Sequence, residues 1–507
     1  VTTWAMSTRY KQSAWMWRRM TPNTCAFTKA WMSIVRSPLL YASRTRFYSQ
    51  ESFHDRARTH LLADKSSPSV IAAVASILGL ACSSVMDPVE AKERHELSVS
   101  SNFDSGNIEV VSVRKNVVDL KIKLEPFTDG TDNTSHGQWF YFKAANVRGE
   151  ACTFRILNAG KCSYAAGWKG YRACCSYDQE KWFRTGTEYN EEDGVLTINI
   201  KPGKDVVWCA YFALFSYDRH QKLIAKASNA QGSQVKSIGK TLDGRDIDVI
   251  TVGSGKIRAW FQARQHPGET QAEYWMEGFL DRLLDSNDAL ARQLRGLCTF
   301  YIIPNANPDG SVRGHLRTNA AGANLNREWC PIPGHDAPTL ARSPEVYWNL
   351  KEMDKVGVDF LLDVHADEEQ PHNFFAGTQG APNWNNRFAW LLQTLAKTYQ
   401  KANPDFGNLA YNYGNDEVGK GMLNCADSQV SLRFNCLAVT LEQPFKDCFD
   451  TPEPKRGWSP KRCAKLGASF LDAFISIAQD LRRDFTVDEA TLAPWVKPGY
   501  ECPPTME

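Results

Sequence analysis

Two residues that can both bind a metal stand three positions apart in the segment QARQHPGETQAEYW. His266 and Glu269 enclose Pro267 and Gly268, and an apolar run ends shortly before them. Because proline and glycine bend the backbone, the imidazole and the carboxylate on either side of them can face the same point. From Thr270 onward, apolar residues recur with helical spacing. The pattern therefore predicts a strand, a tight turn and an amphipathic helix.

Two later apolar runs each end at a residue of the same chemical kind. VDFLLDVHADEE carries His365, and NCLAVTLEQPF carries Glu442. Two histidines and one carboxylate, here His266, Glu269 and His365, form a ligand set that holds zinc and leaves one coordination position open for water. Zinc lowers the pKa of such a water to about 7 and polarises a carbonyl group. Glu442 is the candidate general base that accepts the water's proton and passes it to a leaving amine.

Each of these residues taken alone has an ordinary structural interpretation. An H-x-x-E pair arises often by chance, and a single histidine after a strand is usually a hydrogen-bonded structural residue. Asp363 and Asp367 flank His365, but they are weaker ligand candidates because acidic residues are common at strand ends. The joint occurrence of all the candidates at strand ends of one domain favours a metal site.

Two segments with different patterns must position these residues. Residues 98–227 contain short apolar and aromatic runs between turn sequences such as TDGTDN and KPGKD, which predicts an antiparallel β-sandwich. Residues 228–490 alternate strand-like runs with helices, which predicts a three-layer α/β/α domain with a mixed sheet. Such sheets bind ligands beyond the carboxyl ends of their strands. The sandwich segment has no pattern of a metal or nucleophile site, so support or substrate screening is its expected role.

The first 86 residues differ from the rest in composition. They carry 11 Lys and Arg against 3 Asp and Glu, with no acidic residue before Glu51, as is typical of a mitochondrial or plastid transit peptide. A disordered basic tail or a mis-assigned start is the alternative. Residues 69–86 lack charge and approach the length of a membrane helix, which fits an anchor or the sorting half of a two-part signal. We expect 1–86 to lie outside the fold and predict a mitochondrial location, at the inner membrane or in the intermembrane space, with the cytoplasm as the alternative.

Charge and cysteine usage exclude other classes of protein. Residues 87–507 carry 48 basic and 54 acidic residues, which gives no support to nucleic-acid binding. Membrane contact is expected only through 69–86. The 14 cysteines form no C-x-x-C pair, so mostly reduced core thiols are expected, with a disulfide or two as the alternative.

Longer motifs resemble the zinc metallocarboxypeptidases of the carboxypeptidase A superfamily. HPGET, IPNANPDGSVRGHLRTNAAGANLNREW, FLLDVHADEE and LAVTLEQPFKD are similar to the cytosolic carboxypeptidase subfamily and its bacterial members, and FDSGNIEVVSV and GQWFYFKAANVRGE resemble that subfamily's N-terminal sandwich. The resemblance covers about residues 103–485. It implies one zinc ion per chain on His266, Glu269 and His365, with Glu442 as general base. The implied substrates are the C-termini of peptides or proteins.

The resemblance also implies roles in substrate binding. Asn326 and Arg327, in ANLNREW, would clamp the substrate's C-terminal carboxylate, because a planar guanidinium forms two parallel hydrogen bonds to it. Arg317, in HLRTNAAG, would stabilise the oxyanion of the tetrahedral intermediate. The family's tyrosine on the substrate side matches either Tyr411 or Tyr413.

Side-chain preference is where the sequence departs from one branch of the family. Tubulin-type deglutamylases have an arginine in a Gly-x-Gly-Arg segment, whereas VGKGMLN has Met422 there and Lys420 close by. Methionine favours an apolar substrate side chain, while Lys420 or Arg433 would accept an acidic one. Deglutamylation is thus a candidate activity that the residue at the decisive position, Met422, does not support. One alternative is a zinc deacylase of N-acyl amino acids, which the sandwich and the run from NPDG to NLNREW disfavour. The other is a non-catalytic peptide-binding protein, which the complete set of ligands and base disfavours.

Overall fold

The computed structural model describes residues 96–127, 136–332, 334–407, 413 and 417–492. The chain divides into Val1–Ala91 and Lys92–Glu507, and all described residues belong to the second unit. The predictions for 1–86, including the targeting signal, the uncharged segment 69–86 and the mitochondrial location, fall on residues outside those described. Within the described part of the chain, no helix combines the length and the apolar composition that crossing a membrane requires.

The N-terminal module consists of two five-stranded sheets. Its strands are β1 (Ser98–Ser100), β2 (Glu109–Arg114), β3 (Val117–Lys121), β4 (Tyr141–Ala145), β5 (Cys152–Ile156), β6 (Cys174–Ser176), β7 (Trp182–Arg184), β8 (Gly186–Asn190), β9 (Val195–Ile200) and β10 (Val206–Ala210). One sheet has the order β1-β4-β10-β6-β7, and the other has the order β2-β3-β5-β9-β8. Strands β3 and β5 run parallel, and the other paired strands run antiparallel.

Apolar residues that alternate along the strands fill the space between the two sheets. Phe142 of β4 and Phe154 of β5 belong to different sheets, yet their ring centroids lie 5.1 Å apart. The described cysteines are buried, and none of them forms a disulfide with another described cysteine. The structure therefore confirms a sheet-rich N-terminal domain, but the prediction that it is antiparallel throughout is wrong for the β3–β5 pair.

The C-terminal module is built on a seven-stranded mixed sheet. Its strands are β11 (Ser233–Lys240), β12 (Asp246–Gly253), β13 (Ile257–Ala263), β14 (Cys298–Ile303), β15 (Phe360–Val364), β16 (Phe374–Gly377) and β17 (Leu437–Glu442). The order is β11-β12-β14-β13-β15-β17-β16. The four central strands β14, β13, β15 and β17 are parallel, and the outer strands are antiparallel to their neighbours.

Helices cover this sheet. The described α-helices are α1 (Tyr217–Ser228), α2 (Thr270–Leu283), α3 (Ala289–Leu297), α4 (Pro308–Arg313), α5 (Pro344–Val356), α6 (Asn386–Ala402), α7 (Ala426–Phe434) and α8 (Pro460–Ala478). Short 3-10 turns occupy Ala159–Lys161, Ala165–Trp168, Leu325–Arg327 and Glu489–Thr491.

Neighbouring residues of β13 show that both faces of the sheet are covered. Phe261 stacks on Phe279 of α2, with ring centroids 4.5 Å apart. Trp260 points to the opposite face, as alternation along a strand requires, and belongs to a second buried cluster with residues of α5 and α7. This arrangement confirms the predicted three-layer α/β/α domain. The exact boundaries 98–227 and 228–490 stay predictions.

Two glycines allow α2 and α8 to pack in close contact. A Cβ atom on Gly278 would lie 1.9 Å from the carbonyl oxygen of Ala464, and one on Gly467 would lie 1.9 Å from that of Trp275. Any larger residue would force the helices apart. The contact fixes α2, whose first turn follows the His-Pro-Gly-Glu segment directly.

Candidate active site

The candidate site lies where three neighbouring parallel strands end. Strand β15 is flanked by β13 and β17, and Val364 pairs with Leu441, so residues that follow these strands meet at one edge of the sheet. The backbone N–H of His365 donates to the carbonyl of Leu441 (2.8 Å). Glu442 is the last residue of β17, and the His-Pro-Gly-Glu turn joins β13 to α2. The candidate site therefore lies at the carboxyl ends of the parallel strands, as expected for such sheets.

The turn itself is held tightly on both sides. The N–H of Gly268 donates to the carbonyl of Leu316 (2.8 Å), and a Cβ atom on Gly268 would lie 2.8 Å from the Leu316 Cα. Arg264, which has a φ of 61°, donates through its buried guanidinium to the carbonyl of Pro267 (2.8 Å). Because Gly268 lies so close to the Leu316 backbone, only glycine fits at position 268.

The three predicted ligands converge. His266 Nδ1 and His365 Nδ1 lie 3.2 Å apart, and the Glu269 carboxylate faces both, with Oε1 2.7 Å from the first and Oε2 2.8 Å from the second. All three side chains are buried, and one ligand atom from each lies within 4.8 Å of the others. Two nitrogen ligands of a tetrahedral zinc ion lie about 3.3 Å apart, given Zn–N distances of about 2.0–2.1 Å. The spacing therefore fits zinc.

The hydrogen bonds of His266 leave a lone pair for the metal. Asn324 Oδ1 accepts from the backbone N–H of Asn326 (3.1 Å) and lies 3.1 Å from His266 Nε2, so Nε2 carries the proton. Burial lowers the pKa of His266 to about 3, and the charge of Arg317 adds to this effect. In the neutral ring Nδ1 therefore has a lone pair that faces a carboxylate oxygen of Glu269. A cation stabilises such a pair of facing acceptors.

His365 has a carboxylate close to each of its ring nitrogens. Its Nε2 lies 2.9 Å from Asp363 Oδ2, and Asp363 accepts in turn from the amide of Gln265. Burial lowers the pKa of His365, but the charges of Asp363 and Glu269 outweigh it and hold that pKa well above its usual range. A bound metal must displace a proton from this ring, which couples metal affinity to pH.

Glu442 lines a cavity that is also lined by His266 and Glu269. The residue is buried, and its Oε2 has no hydrogen-bond partner among the described residues. Burial raises the pKa of its carboxyl group; His365 opposes this effect, while Glu269 and Asp367 reinforce it, and the pKa lies well above its usual range. A carboxylate that is poorly solvated accepts a proton readily, as a general base must.

One of the two candidate tyrosines reaches the cavity. Tyr413 lines it and donates through its hydroxyl to Asp367 Oδ2 (2.7 Å). Tyr411 lies outside the described residues. The choice between them stays a prediction.

The residues expected to bind the substrate carboxylate and the oxyanion line the same cavity of about 440 Å³. Asn326 Oδ1 accepts from the N–H of Ala426 (2.8 Å), which leaves its amide N–H groups to face the cavity. Arg327 donates to the carbonyl of Asn326 (2.7 Å). The guanidinium carbon of Arg317 lies 5.6 Å from the ring centroid of Tyr164, a residue of the N-terminal module.

The residues predicted to set side-chain preference are only partly in the cavity. Met422 lines it but is 56% exposed. Lys420 is exposed and is absent from the cavity wall. Arg433 forms two hydrogen bonds of 2.6 Å to Asp354, away from the cavity. Neither basic residue therefore supplies the charge that an acidic substrate side chain would need.

Sequence reasoning missed Asp427. It lines the cavity from the first turn of α7, accepts from Thr440 Oγ1 (3.1 Å) and from the N–H of Ser428 (2.6 Å), and pairs with none of the described cationic side chains. Burial raises the pKa of its carboxyl group. An acidic residue in the first turn of a helix has an ordinary explanation in the helix dipole, so no local pattern indicates a role for Asp427 in the cavity.

Comparisons with known proteins agree with this architecture. Residues 99–212 match the cytosolic carboxypeptidase N-terminal domain, and residues 221–455 match the zinc carboxypeptidase family. An uncharacterised protein of Zymomonas mobilis is 45% identical over 375 residues, which cover 74% of this chain and 95% of that protein. Human cytosolic carboxypeptidase 2 is 28% identical over 339 residues, which cover 61% of this chain but 36% of that protein.

A solved structure extends the similarity to the fold. The metallo-carboxypeptidase of Pseudomonas aeruginosa, in complex with (2-guanidinoethylmercapto)succinic acid, is 37% identical with a TM-score of 0.70, over 76% of this chain and all of that one. The chain therefore belongs to the zinc carboxypeptidase family and is a metallocarboxypeptidase. Membership implies a zinc cofactor and peptide or protein substrates, as the sequence predicted.

Proposed function

We propose that this protein hydrolyses the last peptide bond of peptides or proteins and prefers C-terminal residues with a cationic side chain. The observation that carries the proposal is one cavity that is lined by the predicted zinc ligands His266 and Glu269 at one point and, at another, by Asp427, whose carboxylate pairs with none of the described cationic side chains. When bound, zinc supplies a Lewis acid that polarises the scissile carbonyl and makes a water acidic enough to react near neutral pH.

Glu442 takes the proton of the attacking water. Its buried carboxylate, with Oε2 unpaired among the described residues, holds this proton and then delivers it to the leaving amine. Arg317 faces the oxygen on which negative charge develops and stabilises that charge. The zinc stoichiometry of one per chain is part of the same proposal.

Asn326 and Arg327 orient the substrate by its free carboxylate. The amide of Asn326 is aimed by its bond to the start of α7, and the Arg327 guanidinium lies beside it at the cavity wall. A pair of this kind selects a chain end over an internal segment, since an internal residue has no carboxylate for the guanidinium to bind.

Replacement of Arg327 by alanine is expected to raise KM about 30-fold or more for a peptide with a free C-terminus, because a charge-assisted hydrogen-bonded pair is worth about 2 kcal/mol or more. Steady-state kinetics measure this change. The matched control is Arg433→Ala, which removes an arginine that pairs with Asp354 outside the cavity and should leave KM unchanged. If Arg327→Ala weakened binding of a C-terminally amidated inhibitor equally, the carboxylate clamp would be refuted.

Asp427 supplies a reason for the side-chain preference. A carboxylate that is buried without a cationic partner is unfavourable, and an incoming Lys or Arg side chain would neutralise it. An incoming Glu side chain would instead place a second negative charge beside it. The guanidino group in the ligand of the Pseudomonas aeruginosa relative belongs to the class of cation that we propose for this position.

Replacement of Asp427 by asparagine is therefore expected to lower kcat/KM for peptides ending in Lys or Arg about 30-fold or more, and to leave peptides ending in Leu within about threefold. Competition between the two peptides, followed by mass spectrometry, measures the ratio directly. Ser428→Ala, a change in the neighbouring wall residue without loss of charge, is the control. An unchanged Lys-to-Leu ratio in Asp427→Asn would remove Asp427 from the specificity site.

The experiment that tests the proposal as a whole is a panel of peptides that differ only in the last residue. We expect cleavage in the order Lys and Arg, then Leu, then Glu. Preferred release of Glu would establish deglutamylation instead. Cleavage of N-acyl amino acids without cleavage of blocked peptides would establish the deacylase, and zinc binding without either activity would indicate a peptide-binding protein.

A further inference from the structure

A carboxylate of the N-terminal module holds a loop of the catalytic module. Glu125 follows β3, is 4% exposed and accepts four hydrogen bonds from a segment about 190 residues further along the chain. Its Oε1 accepts from the N–H groups of Leu316 (2.7 Å) and Arg317 (3.0 Å). Its Oε2 accepts from the N–H (2.8 Å) and the hydroxyl (2.6 Å) of Thr318.

These bonds fix the backbone on both sides of Arg317. Hydrogen bonds to an ionised acceptor are about twice as strong as neutral ones, and three consecutive residues share the same carboxylate. Backbone N–H groups in a buried loop must find an acceptor, and here one buried carboxylate accepts from all three of them. The direction in which the Arg317 side chain leaves the backbone is therefore set by Glu125.

The opposite side of the loop rests on the metal-binding turn. The carbonyl of Leu316 accepts from the N–H of Gly268, which lies between the predicted ligands His266 and Glu269. The loop is thus enclosed between a carboxylate of one module and the metal site of the other.

The N-terminal module contacts the Arg317 side chain as well. The ring of Tyr164 lies beneath the guanidinium at 5.6 Å, a distance at which a cation is attracted to an aromatic face. Tyr164 and Arg317 both line the substrate cavity. One residue of the N-terminal module thus fixes the arginine's backbone, and another supports its side chain.

We propose that the N-terminal sandwich is a working part of the active site and that Glu125 is the positioning residue for Arg317. This inference rests on the proposed function, in which Arg317 stabilises the oxyanion. The sandwich therefore raises kcat through Arg317, in addition to covering the cavity or screening substrates. Glu125 acts through Arg317 and does not itself contact the substrate.

The test is a double-mutant cycle on the full chain loaded with Zn²⁺. Arg317→Ala alone should lower kcat about 10²–10³-fold, the loss expected for one oxyanion donor. Glu125→Gln places an amide N–H₂ against backbone N–H donors, and it should lower kcat at least tenfold with KM within threefold. In the Arg317→Ala background, Glu125→Gln should lower kcat less than twofold, because the side chain that Glu125 positions is absent.

The control is Asp119→Asn, which alters another buried carboxylate of the sandwich, one that pairs with Arg155 and lies outside the cavity. It should leave kcat unchanged even if it lowers thermal stability. Equal losses for Glu125→Gln in both backgrounds, or a loss of zinc from Glu125→Gln, would overturn the positioning role. If Glu125→Gln does not fold, Thr318→Val enters the same cycle, since it removes only the hydroxyl donor.

The cycle separates failure of the inference from failure of the proposed function. If Arg317→Ala leaves kcat unchanged, Arg317 has no oxyanion role and the inference falls, while peptide hydrolysis stands; absence of peptide turnover in the zinc-loaded wild type would instead refute the proposed function. If Arg317→Ala has its expected effect while Glu125→Gln acts independently of it, the proposed function stands and Glu125 is structural only.

Discussion

Replacement of Glu442 by glutamine is expected to lower kcat by about 10²–10⁴-fold, the range that general acid–base catalysis contributes. The amide has nearly the same shape as the carboxylate but cannot accept the water's proton. Zinc content should stay at the wild-type value, because Glu442 is not among the three converging ligands. Single-turnover kinetics and metal analysis of the same sample measure both quantities.

Glu345 provides the matched control for this substitution. It is also a buried glutamate, but burial raises the pKa of its carboxyl group to about 8, and its side chain accepts from Asn319 (3.0 Å) outside the cavity. At pH 7 it is mainly protonated, so glutamine replaces it closely. Glu345→Gln should retain turnover within about twofold, and wild-type turnover in Glu442→Gln would show that the base is another residue.

Replacement of His365 by alanine is expected to abolish both zinc binding and turnover. The imidazole provides one of the two nitrogen ligands, and it lies 2.8 Å from the carboxylate of Glu269 and 2.9 Å from that of Asp363. Loss of a group that merely orients a ligand costs about 10–100-fold in metal affinity, so loss of the ligand itself should exceed that range. Competition with a chelator of known affinity gives the zinc dissociation constant.

His372 is the control histidine. It is buried, and its Nδ1 lies 2.9 Å from Asp450, but it does not line the cavity. His372→Ala should keep zinc even if it lowers the melting temperature. If His365→Ala bound zinc as tightly as the wild type, the ligand assignment would be wrong.

The order of elements and the edge of the sheet that carries the site were accessible from the sequence because their signals are local. Apolar periodicity predicted β13, α2, β15 and β17, and the rule that α/β sheets bind ligands at carboxyl ends then brought His266, His365 and Glu442 together. The parallel pairing of β3 with β5 was missed, since alternation along a strand contains no information about the direction of its neighbour.

Residues whose roles depend on long-range contacts were not accessible. Asp427 looks like an ordinary acidic residue in the first turn of a helix, and only the folded chain brings it beside Thr440 at the cavity wall. Glu125 is separated from Arg317 by 192 residues, and no local pattern marks it. Lys420 was a candidate because it lies close to Met422 in the sequence, but its side chain is exposed outside the cavity.

Titration of the metal-free protein with Zn²⁺ tests the central claim most directly. The claim is that His266, Glu269 and His365 hold one metal on which peptide hydrolysis depends. Turnover of a peptide ending in Lys should rise in proportion to added zinc and reach its plateau at one equivalent per chain. Full turnover before zinc is added, or a plateau that requires two equivalents, would contradict it.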